Sequence, residues 1–273
     1  MLNNPEIGKS IKANGINTNY HDVGKGDAVL LIHGSGPGVS AWANWRLTIP
    51  ALAKNNRVIA PDMIGFGYTD RPTDNIYSID DWVAQIIGLL DALNIDKASV
   101  IGNSFGGGIA LAIAIRYPER ISKLVLMGSV GVPFTLTDGL DKVWGYQPSI
   151  VNMKALLDIF AYKRELVSDE LAELRYKASI QEGFQEAFSS MFPAPRQRWI
   201  DAMQSASQDI KNIIHKTLVI HGRDDEVIPL NNAYKLIELI KHSQLHVYGE
   251  CGHWTQIEKC QEFNQLVSHF LHN

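Results

Sequence analysis

Apolar runs of four or five residues recur along this chain, separated by stretches whose apolar positions return every third or fourth residue. The short runs at Ile16–Tyr20, Ala28–Ile32, Arg57–Ala60, Ala98–Ile101, Leu124–Met127, Thr217–Ile220 and Gln244–Val247 predict strands. Most are apolar at consecutive positions, as strands covered on both faces are. The periodic stretches predict helices over Trp42–Leu52, from a Ser78 cap to about Leu93, over Gly107–Tyr117, and over residues 231–240 and 257–271. Asp80 and Asp81 fall in the first turn after Ser78, where the helix dipole favours acidic groups. Strand and helix in alternation predict an α/β fold, a mostly parallel sheet flanked by helices.

The alternation stops at about Phe134 and resumes after Ser207. Ile150–Phe160, Asp169–Ile180, Phe184–Met191 and Arg196–Ser205 are helix-periodic, and Pro133, Pro148, Pro193 and Pro195 punctuate the stretch. The expected organisation is a core made of residues 1–133 and 208–273, with residues 134–207 inserted as a helical cap. Such an insertion lies over the carboxyl ends of the strands, where α/β sheets bind ligands.

Composition narrows the class only slightly. A length of 273 residues suits one large domain or one domain with an insertion. A formal charge of −4 offers no basic footprint for nucleic acid or acidic membranes, so neither is an expected partner. No apolar run reaches transmembrane length, and Met1–Lys12 is too polar for a secretion leader. Cys251 and Cys260 lack metal-ligand spacing, which points to a reducing cytoplasm, with no metal and no cofactor expected.

The candidate chemistry centres on Gly102-Asn103-Ser104-Phe105-Gly106, set between a predicted strand and a Gly/Ala-rich helix. In that context G-x-S-x-G predicts a nucleophile elbow, which holds the serine hydroxyl above the strand's carboxyl end. A serine hydroxyl needs a base within reach, and in this architecture the acid and then the histidine follow later in the chain. The predicted strands 217–220 and 244–247 run into Asp224-Asp225 and Gly252-His253-Trp254, both loops on the face that carries Ser104. The glycine-rich turn His33-Gly34-Ser35-Gly36-Pro37-Gly38 can present one backbone N–H to the serine site, with Phe105 supplying a second. Ser35 and Phe105 are therefore the expected oxyanion donors, and His33 is expected to order the turn without reacting.

Beyond the motif, the chain resembles the meta-cleavage product hydrolases of the α/β-hydrolase fold over essentially its whole length. The resemblance rests on Ser35-Gly36-Pro37-Gly38 with Trp42-Ala43-Asn44-Trp45, on Pro61–Gly67, on Gly102–Gly108, on the arginine of Leu174-Arg175-Tyr176, and on Gly252-His253-Trp254. It is strongest to the branch acting on monocyclic products. The resemblance implies Ser104 as nucleophile, His253 as base and Asp225, four residues before Pro229, as the acid. It further implies a 2-hydroxy-6-oxo-2,4-dienoate substrate, a small molecule whose carbon–carbon bond is hydrolysed after ketonisation. A plain carboxylesterase and a non-catalytic receptor on the same fold are the rival readings. Arg175 is expected to grip the substrate carboxylate, with Asn44, Asn103 and Trp254 on its oxygens. A surface helix position, a helix cap and core packing are the plainer roles open to Arg175, Asn44 and Trp254. Val130, Trp144, Ile200, Val227 and Ile228 are expected around the 6-substituent, with core packing as the alternative for each. A homo-oligomer is also expected.

Overall fold

In the computed structural model, which describes residues 4–72 and 77–273, the strands form one eight-stranded sheet. They are β1 (Lys9–Ala13), β2 (Ile16–Gly24), β3 (Ala28–Ile32), β4 (Arg57–Pro61), β5 (Ala98–Asn103), β6 (Ile121–Met127), β7 (Thr217–Gly222) and β8 (Ser243–Tyr248). The spatial order is β1-β2-β4-β3-β5-β6-β7-β8. β2 runs antiparallel to both β1 and β4, and every pairing from β4 through β8 is parallel.

β1 does not appear among the sequence-based strands, although the chain announces it. Asn14 and Gly15, at φ 46° and 84°, form the two-residue turn that joins β1 to β2. An Asn-Gly pair between alternating segments favours such a hairpin, because both turn residues must take positive φ. The polar sequence Lys-Ser-Ile-Lys-Ala masks the strand, as suits an edge with one solvated face.

Successive residues of the central strands enter different cores. Leu30, Ile32, Val100, Leu124, Leu126 and Val219 join one cluster with helices Ile79–Ala92, Phe105–Arg116 and Asn231–Leu239. Val29, Leu31, Ile101, Val125, Leu218 and Ile220 join the other with helices Ala41–Trp45, Ile49–Leu52 and Cys260–His272. This two-residue alternation between covered faces is why the strands read as continuous apolar runs. The helix predicted over Trp42–Leu52 is two pieces, because Pro50 lacks an N–H and crowds the preceding turn. The last predicted helix is likewise divided, at Lys259. Ser78 does cap helix Ile79–Ala92, its side chain accepting the Asp81 N–H.

No strand lies between β6 and β7; helices Asp138–Trp144, Ile150–Phe160, Asp169–Ser179, Phe184–Met191 and Gln197–Ala202 occupy that stretch. Thr137, Ser149 and Ser168 each accept an N–H of the helix that they precede. Helix Asp138–Trp144 is an addition to the sequence-based set, and its Thr137 cap was the available signal. No helix among the described residues is long and apolar enough to cross a membrane.

Candidate active site

β5 ends at Asn103 and the next helix begins at Phe105, so Ser104 alone makes the turn. Its backbone sits at φ 55° and ψ −114°, a conformation L-residues rarely adopt. The turn is held by its neighbours: Ser104 N–H donates to the Met127 carbonyl at 2.8 Å, and its own carbonyl accepts from Gly107 at 3.0 Å and Val130 at 3.2 Å. A Cβ on Gly106 would lie 2.3 Å from the Ile32 carbonyl oxygen, and one on Gly102 would lie 2.3 Å from that of Gly106. The flanking glycines are thus required by backbone that cannot give way. Gly106→Ala is expected to destabilise the fold by about 1–3 kcal/mol or more, through overpacking against backbone. A denaturant midpoint equal to wild type would refute this.

The acid and the histidine meet across two loops. His253 Nδ1 lies 2.8 Å from Asp225 Oδ2, and both side chains are buried. Asp225 Oδ1 accepts the N–H groups of Val227 at 2.8 Å and Ile228 at 2.9 Å. Burial pushes the Asp225 carboxyl up, but the His253 charge and hydrogen bonds from His221 and His253 outweigh it. The net result lies well below the usual carboxylate range. Asp225 therefore stays ionised and fixes the histidine ring. Its neighbour Asp224 turns outward to Arg223 at 3.2 Å. The end of β6 joins this pair to the serine. Met127 takes the Ser104 N–H, while Gly128, at φ 49°, packs beneath the His253 ring and the Asp225 carboxylate.

The glycine-rich turn after β3 approaches from the other side. A Cβ on Gly34 would be 3.4 Å from the Ser104 Cβ. His33 Nε2 accepts the Met63 N–H at 2.9 Å, so its other nitrogen carries the proton toward the Gly34 carbonyl at 2.8 Å. Burial pulls its pKa down to about 4, so the ring is a neutral brace. Asp62 accepts from Ala41 N at 2.6 Å, Tyr68 N at 2.7 Å and Asn19 Nδ2 at 2.8 Å, which ties down the far end of the turn. The Ser35 hydroxyl accepts the Trp144 indole N–H at 2.9 Å. Among the described residues, neither the Ser35 N–H nor the Phe105 N–H donates to an acceptor of the chain. Phe105 opens its helix, where an unsatisfied donor is expected.

A cavity of about 280 Å³ opens beside this turn, lined among others by Ser35, Asn44, Asn103, Arg175, His253 and Trp254. Its volume suits a small ligand. Asn103 Nδ2 donates to Asn44 Oδ1 at 3.2 Å, while Asn103 Oδ1 is buried without a partner. Trp254 stacks on Phe160, with ring centroids 5.2 Å apart and planes 12° apart. Arg175 is not an exposed helix residue: its guanidinium pairs with Glu6 at 3.1 Å and donates to the Gly38 carbonyl. Two of its five N–H donors are so engaged.

Comparison with known proteins agrees with this geometry. Residues 27–259 match the family model described as alpha/beta hydrolase fold. A 2-hydroxy-6-oxo-2,4-heptadienoate hydrolase of Pseudomonas putida is 62% identical over 268 residues, covering 98% of this chain and 97% of the relative. A 2-hydroxymuconate semialdehyde hydrolase of another Pseudomonas strain is 61% identical, covering 98% and 95%. The solved meta-cleavage product hydrolase (CumD) of Pseudomonas fluorescens IP01 superimposes with a TM-score of 0.98 at 65% identity, covering 98% of this chain and 99% of that one. The chain belongs to the meta-cleavage product hydrolases of the α/β-hydrolase fold.

In this hydrolase the residues expected around the 6-substituent are buried. Val130, Trp144, Ile200, Val227 and Ile228 are all at most 2% exposed, in the main apolar cluster. Val227 and Ile228 hold Asp225 through their backbone N–H groups, and Val130 N–H holds the Ser104 turn. Trp144 stacks on Phe192 at 4.3 Å, 8° from parallel, and reaches the site through Ser35. Met153, Leu157, Leu166 and Leu171, from the helical stretch between β6 and β7, line the cavity beside Ser35. Sequence reasoning also passed over Arg46, which lines the cavity beside Asn44. Nothing in its local pattern distinguishes it from a surface arginine, although it lies two positions after an expected contact residue.

Proposed function

We propose that this hydrolase cleaves 2-hydroxy-6-oxo-2,4-dienoates to 2-hydroxypenta-2,4-dienoate and a short carboxylic acid. The observation that carries the reading is the charge of the cavity. Its wall bears two guanidinium groups, from Arg46 and from Arg175, which also pairs with Glu6, and no carboxylate, and it includes His253, bonded to the buried Asp225 side chain. A plain esterase substrate gives no reason for that charge, whereas a dienoate carries a carboxylate at the end remote from its 6-oxo group.

The chemistry needs two subsites. Breaking a carbon–carbon bond beside a carbonyl expels a carbanion, which is prohibitive without an electron sink. Moving the 2-hydroxyl proton to C5 gives a 2-oxo form, so the departing fragment leaves as a dienolate conjugated to its carboxylate. Arg175, with Asn44, Asn103 and Trp254, holds the carboxylate and 2-oxygen; the orphan Asn103 Oδ1 suits the enol hydroxyl. Ser104 and His253 act at the 6-oxo carbon, with the Ser35 and Phe105 N–H groups donating to the developing oxyanion. One water is consumed: its hydroxyl ends in the acid and its proton in the dienol product. Residues 134–207 act as the cap over this site. The small 6-substituents in the names of the relatives at 61% and 62% identity support hydrogen or methyl there, whereas the phenylhexadienoate hydrolases match at 35% and 37%. A cytoplasmic homo-oligomer completes the proposal; the outer edge of β8, unpaired among the described strands, is a surface for a second copy. A monomer mass by sedimentation at micromolar concentration would remove that part.

The dienol chromophore is yellow, so the test is its bleaching. Multiple-turnover bleaching, faster with the methyl than with the phenyl compound, is the expected result. Ester cleavage without bleaching would make the protein an esterase, and single-turnover or no bleaching would make it a receptor. Arg175→Gln is expected to raise KM for the dienoate by about tenfold or more while sparing a neutral ester, since one charge-assisted hydrogen bond is worth about 1.5–3 kcal/mol. Equal losses on both substrates would mark the arginine as structural.

A further inference from the structure

Glu258 is a buried carboxylate with no part in the chemistry above. It is 7% exposed, ends helix Thr255–Glu258 and turns back toward the histidine loop. One oxygen accepts the Gly252 N–H at 2.8 Å, and the other accepts the Lys163 N–H at 2.9 Å. Gly252 immediately precedes His253, and Lys163 lies just beyond the inserted helix Ile150–Phe160. The same two segments meet again at Phe160, whose carbonyl accepts the N–H groups of His253 at 2.8 Å and Trp254 at 3.2 Å. The Phe160 ring lies along the His253 ring, 25° from parallel with centroids 5.9 Å apart. Gly252 leaves no room for a side chain, since a Cβ there would be 2.7 Å from the Phe160 oxygen and 2.9 Å from the Tyr162 nitrogen.

We propose that Glu258 is a positioning residue that locks the catalytic histidine loop to the inserted helices, so that His253 is aligned only while the turn at residues 160–163 is docked. Among the described residues no lysine or arginine forms an ion pair with Glu258; its oxygens are met by those two backbone donors and, at 4.0 Å, by the Cys251 thiol. A carboxylate needed only to cap the Gly252 N–H would have no reason to reach the inserted segment as well. Losing either donor leaves only the two Phe160 bonds across the junction, which loosens it and lets the histidine ring drift. Misplacement on the ångström scale costs turnover without changing what the cavity binds.

The proposal rests on the triad assignment and not on the identity of the dienoate, so its test uses a neutral ester beside the dienoate. Glu258→Gln keeps an acceptor for one N–H and sets an amide N–H against the other. Lys163→Pro deletes a single donor, at a φ of −81° that proline accepts. Each variant is expected to lower kcat on both substrates by about 10- to 100-fold with KM within about twofold. The double variant should lose little more than the worse single, as partners in one contact do. Unchanged kcat in folded Glu258→Gln, a loss carried by KM, or losses that multiply in the double variant would each overturn the proposal. Should Glu258→Gln fail to fold, unchanged kcat in Lys163→Pro overturns it alone. Full ester turnover in Ser104→Ala would instead defeat the triad itself.

Discussion

Ser104→Ala is expected to leave a folded protein whose turnover of the dienoate is lower by about 10³-fold or more. The loss should be this large because, in the proposed mechanism, the hydroxyl that the turn presents is the nucleophile. Its strained backbone is held by four hydrogen bonds, to Met127, Gly107, Gly108 and Val130, none of which involves the side chain. Alanine keeps those bonds and the same backbone conformation, so the fold should survive with its thermal midpoint near wild type. The cavity and its two arginines are likewise untouched, and substrate should still bind and perturb its own absorbance. Near-wild-type turnover in the folded variant would rule out Ser104 as the nucleophile.

Asp225→Asn should be comparably damaging, lowering kcat by about 10⁴-fold at neutral pH with little change in KM. In the proposed triad the aspartate accepts the His253 Nδ1 proton, which leaves Nε2 free to take the serine proton. Its other oxygen is committed to the Val227 and Ile228 N–H groups, so an asparagine must keep its carbonyl there and turn its NH₂ toward the histidine. The ring then carries its proton on the wrong nitrogen. Asp224→Asn is the control: that side chain faces Arg223 and the Cys251 N–H, and its loss should cost less than about tenfold. If the two variants lose activity equally, the acid has been misassigned.

Several parts of this molecule were legible in the chain because they are local. The central strands are written as consecutive apolar residues, since both faces of the sheet are covered. Ser78 was readable as a cap because its side chain bonds a backbone group three residues on, whatever the rest of the fold does. The elbow is equally local: glycine at positions 102 and 106 answers to backbone within the same strand–turn–helix unit and to the adjoining strand. Where two local signals competed, the reading was less complete. Helical periodicity across Trp42–Leu52 concealed the break that Pro50 imposes, and the polar residues of β1 concealed the hairpin that Asn14-Gly15 closes.

By itself the sequence determined the α/β class, the inserted helical stretch, the elbow and the family resemblance, all of which depend on spacing or on a few adjacent residues. Only the tertiary structure decided which groups meet. It set Asp225 and not Asp224 against His253, and turned Arg175 toward the cavity while engaging it with Glu6. It also put Arg46 on the cavity wall, and it made the backbone N–H groups of Val227 and Ile228 donors to the acid. The physical reason is range. Periodicity reports which face of an element is buried, whereas a hydrogen bond between Glu258 and Lys163 joins residues 95 apart in the chain. No local pattern encodes such a contact, because it depends on how two separate loops are carried to the same place.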